Sequence, residues 1–98
     1  MKPHRHGPAQ VSLEVHGEVR TVEPIEISGH RAALRLDRAV ETDAPASLTL
    51  SWNCGARTRL AASVRSVSRR REDLHVAHVD VLGVDGDWKP FLEYLGAA

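Results

Sequence analysis

The sequence predicts an all-β fold: a small six-stranded antiparallel barrel with one C-terminal α-helix. Two observations lead there. Between residues 11 and 81, short runs of alternating apolar and polar residues are separated by turn-forming residues. Beyond residue 87 the apolar spacing changes to that of a helix. A chain of 98 residues holds one such unit, because a domain this size buries only roughly 60–65% of its unfolded surface.

Residues 1–10 hold two prolines, a glycine and two histidines without periodicity, and read as a flexible basic arm leading into a domain spanning 11–98. Val11, Leu13 and Val15 alternate with Ser12 and Glu14 on a first strand, and His16-Gly17 offers a tight turn. The second strand, Glu18 to Ser28, is expected to turn Ile25 and Ile27 inward, with Pro24 marking an edge or a bulge. After Ser28-Gly29-His30, a third strand runs from Ala32 to Leu36. Asp43-Ala44-Pro45 forms a turn before a fourth strand whose inward set is Leu48, Leu50 and Trp52.

Asn53-Cys54-Gly55 is a hairpin turn requiring positive φ. It leads to Leu60, Ala62 and Val64 on a long fifth strand, and Val67, out of register with them, calls for a bulge between Val64 and Val67. Leu74 and Val76 open a sixth strand, but Val79 and Val81 have the opposite parity, so a second bulge is expected near Ala77. Trp88, Phe91, Leu92 and Leu95 then share one helix face, with Asp87 as N-cap, Pro90 in the first turn and Gly96 as the stop. A lone helix this short is marginal in water, so its aromatic face should cover an open end of the barrel.

Basic and acidic residues both number 13, so no net field draws the chain to nucleic acid or membrane. No apolar run approaches the ~18 residues of a membrane span, and no signal-peptide pattern follows Met1, which points to the cytoplasm. Cys54, the single cysteine, excludes an intrachain disulfide and a cysteine-based zinc site, and reads as a free surface thiol. Paired carboxylates, a Ser-His-Asp arrangement and a glycine-rich phosphate loop do not occur at meaningful spacing, so neither catalysis nor a cofactor is expected.

The segment Pro24-Ile25-Glu26-Ile27-Ser28-Gly29-His30-Arg31-Ala32-Ala33-Leu34 stands where a PilZ domain carries its Asp/Asn-x-Ser-x-x-Gly motif. The order of strands downstream and the terminal helix are similar too, so residues 11–95 resemble that family. The resemblance implies a six-stranded barrel in a bacterial regulatory protein, many relatives being receptors for cyclic di-GMP. In those receptors an Arg-x-x-x-Arg motif before the first strand grips the nucleotide, as suits a planar cation that stacks and bonds bidentately. Here Ser28 is kept, Glu26 replaces Asp or Asn, and Arg31 replaces the glycine. Arg5 matches the second arginine of the first motif, whereas the first falls on Met1, with only Lys2 nearby. The resemblance thus implies a degenerate member acting through protein contacts, with weak or no cyclic di-GMP binding; the alternative is a receptor using Arg5, Ser28 and Arg31, with Glu26 beside them.

Residues 51–71 contain six arginines and no acid. Arg57, Arg59 and Arg65 share the parity opposite Leu60, Ala62 and Val64, so they should form an outward basic stripe, either a docking face for a protein partner or a solvated surface. Nucleic acid is the weaker candidate partner, because aromatics make up only 4% of the chain and stacked bases need them. His4 and His6, with His16 and His30, do not make a metal site by spacing alone, and His75 and His78 differ in parity.

Overall fold

A computed structural model describes residues 7–96. Six strands, β1 (Gln10–Val15), β2 (Glu18–Ile27), β3 (Arg31–Leu36), β4 (Pro45–Ser51), β5 (Arg57–Arg71) and β6 (Leu74–Gly86), precede helix α1 (Trp88–Gly96). They close a barrel in the order β1-β2-β3-β6-β5-β4, every neighbouring pair antiparallel. Alternation does what the pattern demanded: Leu13 pairs with Leu48 and Leu48 with Leu60, so one rung places three fully buried leucines side by side. Burial of each such side chain contributes about 1.5–3 kcal/mol.

The turns follow from backbone chemistry. His16 and Gly17 both have positive φ, 53° and 80°, matching the twist of a two-residue hairpin between β1 and β2. Gly55 supplies φ 91° at the β4–β5 turn. The described part of the basic arm is tied down, with Ala9 N–H donating to Ser51 O at 2.7 Å and Gln10 already in β1.

Bulges decide which side chains point inward, and here several expectations change. The one expected in β5 is present, its extra residue being Arg65. The one expected near Ala77 is absent: β6 pairs with β3 without a break from His75 to Asp80. The extra residue of β6 is Leu82 instead, since Ala62 pairs with Val81 and Ala61 with Gly83. Ala77 and Val79 therefore face the core, whereas Val76, opposite the outward Arg35, is buried without joining it. In β2 the shift lies between Pro24 and Glu26, which makes Ile25 the extra residue and leaves it half exposed rather than inward, while Ile27 is buried as expected.

Helix α1 closes one barrel end, but not on the expected face. Phe91 is fully buried, Tyr94 and Leu95 pack against the core, and Trp88 and Leu92 are exposed. The reason lies in Trp52, whose ring meets Tyr94 at 5.8 Å between centroids, and in the polar hinge beneath it. Trp52 Nε1 donates to buried Thr58 Oγ1 at 2.9 Å, and the Thr58 hydroxyl donates to Asp87 O. Asp87 N–H donates to Arg57 O at 2.9 Å, and the Asp87 carboxylate accepts from Arg57 N–H at 3.0 Å. Asp87 thus fastens the start of the helix to β5 instead of serving as its N-cap.

Candidate functional site

The β2–β3 turn brings Glu26, Ser28 and Arg31 to one region of the outer surface. Ser28 Oγ accepts from Arg31 N–H at 3.1 Å and from His30 N–H at 3.3 Å, and donates to Arg31 O at 3.2 Å. The hydroxyl is therefore engaged by its own turn, the usual role of serine before glycine. Glu26 is exposed, paired with Ala33 across β3. Arg5 lies outside the described residues.

Arg31 starts β3 directly opposite Asp80 of β6. The register also carries Arg65 there: its Nε donates to both Asp80 oxygens, at 3.1 and 3.0 Å. Two arginines read separately from the sequence thus flank a single carboxylate, a juxtaposition that the parity of β5 alone does not disclose. Among the described residues Arg31 has no ion pair, so this cluster keeps one positive charge beyond the Arg65–Asp80 pair.

Arg57 and Arg59 stand on the outer face as expected, both exposed and, among the described residues, without an ion pair. They line an open cleft of about 410 Å³ together with Ser12, Thr49, Glu14 and Asp85. Arg59 sits between Thr49 on one neighbouring strand and Asp85 on the other. Arg65 is exposed as well, but it sits at the β5 bulge and is held by Asp80, so of the three arginines only Arg57 and Arg59 lack an ion pair among the described residues.

A larger cleft, about 560 Å³, lies where Pro8 to Val11 pass Glu23, Arg35, Asp37 and Asp73. Sequence reasoning missed it, since its walls come from four separate segments. Arg35 is ion-paired with Glu23 across β2 and β3, and Asp37 and Asp73 have no ion pair among the described residues. Histidines are dispersed: His16 meets Glu41 at 3.4 Å, His75 is on the inner side of β6 and His78 on the outer. Among the described residues no three potential metal ligands come together, and Cys54 is exposed on its turn. No helix there is long and apolar enough to cross a membrane. Compared with known proteins, the chain matches no family model, no curated protein and no solved structure.

Proposed function

We propose that this chain is a non-enzymatic, PilZ-like regulatory binding module that works through contact with a protein partner, and that cyclic di-GMP binds it weakly or not at all. The observation that carries this reading is the carboxylate of Asp80, held by Arg65 and facing Arg31, on the surface a dianionic nucleotide would have to approach. Asp80 cancels one of the two arginine charges a dianionic ligand would need, and Ser28 has its hydroxyl engaged in the turn. Each charge-assisted bond lost removes roughly 1.5–3 kcal/mol, so two losses weaken binding about a hundredfold or more. Arg57 and Arg59, without an ion pair among the described residues, are the cations this reading assigns to an acidic protein surface.

Calorimetric titration with cyclic di-GMP tests the first half of this reading. No saturable heat at micromolar ligand is expected; saturable micromolar binding that disappears in Arg31→Ala would establish a receptor instead. For the second half, charge reversal at Arg57 and Arg59 should abolish partner capture in a pull-down. Unchanged capture by the reversed variant would make that cleft a solvated surface.

A further inference from the structure

Among the described residues, the last five residues of β6 have a neighbouring strand on one side only. Pairing with β3 stops at Arg31 and Asp80, and the final bond on that side runs from Val81 N–H to His30 O. From Gly83 to Gly86 the strand is paired with β5 alone.

The direction of the unpaired groups follows from the ladder. Val64 N–H and C=O are bonded to Ala44 and Asp43 on the β4 side, and Arg57 O is bonded to Asp87 N–H on the β6 side. Even-numbered residues of β5 from Thr58 to Val64 thus turn to β4, and Arg59 and Ala61 turn to β6, because antiparallel strands alternate in this way. Their partners Asp85 and Gly83 use their N–H and C=O on β5, so those of Val84 point to the open side. Two apolar side chains on that edge stand in solvent, Leu82 at 70% and Val84 at 45% exposure. An open edge is a template for another strand; between Leu82 and Gly86 it carries neither lysine nor proline, and its protection is limited to the bulge at Leu82 and the charge of Asp85.

We propose that this edge is a self-association surface, occupied by the same edge of a second copy in an antiparallel two-fold arrangement centred on Val84. The segment Leu82-Gly83-Val84-Asp85-Gly86 is complementary to itself in that register. Val84 N–H and C=O exchange both bonds with Val84 of the second copy, each Asp85 lies opposite a glycine rather than another carboxylate, and each Leu82 also lies opposite a glycine. Like charges directly opposite would disfavour pairing, and none meet here. The chain's zero net charge removes long-range repulsion between copies. Asp85 and Gly86 also line the arginine cleft, so the two surfaces adjoin; the pairing uses the Val84 backbone rather than the Arg57 and Arg59 side chains, and the proposal does not rest on the regulatory reading.

Sedimentation of the full chain over a concentration series should show a twofold rise above the 10.8 kDa monomer mass. Val84→Pro deletes the open-side N–H without touching the β5 ladder, and Leu82→Lys puts a charge on the edge; both should stay monomeric at concentrations where the parent dimerises. Hydrogen exchange on the unaltered chain keeps the test independent of how the variants fold. The Val84 amide should be protected at high concentration and lose protection on dilution, whereas the Gly83 and Asp85 amides stay protected throughout. A parent that remains monomeric over the whole series, including one that instead captures a foreign extended peptide, overturns the proposal. So does a folded Val84→Pro variant that still dimerises, or a Val84 amide whose exchange ignores concentration.

Discussion

Trp88 and Phe91 stand three residues apart on the same short helix, yet one is exposed and the other fully buried. Five apolar side chains on α1 form an arc wider than the barrel mouth can cover, so the docking angle selects among them. Trp52 selects, because its indole is pinned by Thr58 and its ring is met by Tyr94. Amphipathic spacing establishes that a helix has an apolar side; the residues at its receiving surface decide which part of that side is used.

This contrast can be broken most forcefully at Phe91. Phe91→Ala should cost about 3–5 kcal/mol in denaturant unfolding, the range for removing a buried aromatic side chain, whereas Trp88→Ala should cost less than ~1 kcal/mol. Equal losses at the two positions would mean that the helix docks on the Trp88 face after all. Next in size is Thr58→Val, which strands the Trp52 indole N–H and the Asp87 carbonyl. A loss of about 1–3 kcal/mol is expected from the same measurement.

The arginines of β5 repeat the comparison on the surface: Arg65 is held by Asp80, while Arg57 and Arg59 lack an acid within ion-pair distance among the described residues. Asp80→Asn should shift stability by no more than about 1 kcal/mol, as exposed ion pairs contribute little. It should also improve whatever affinity cyclic di-GMP has. One charge at ~4 Å in a water-like medium is worth about 1 kcal/mol, or about fivefold. Titration of both proteins checks this, and unchanged or weaker binding by the variant would remove Asp80 from the account. Smallest of all, reversing Arg57 and Arg59 should leave the thermal midpoint nearly where it was, with ΔΔG within about 0.5 kcal/mol by thermal unfolding.

Alternation alone determined most of the fold. Leu13, Leu34, Leu48, Leu60 and Val64 are all buried where a period of two puts them, and the turns at His16-Gly17 and Gly55 have the positive φ their residue types favour. Burying one face of a strand requires that pattern, so the pattern is legible without coordinates. Bulges were legible only in part. A change of parity reveals that an extra residue exists, as between Val64 and Val67, but its position depends on pairing with a neighbour distant in sequence. For that reason the shift expected near Ala77 occurs at Leu82, and Ile25 turns outward. The candidate site belongs to the same class of fact. Arg31 and Arg65 are 34 positions apart, and only the β3–β6–β5 register sets them around Asp80. The open edge of β6 is likewise a matter of tertiary structure, since β3 begins opposite Asp80 and, among the described residues, no strand continues it beside residues 83–86.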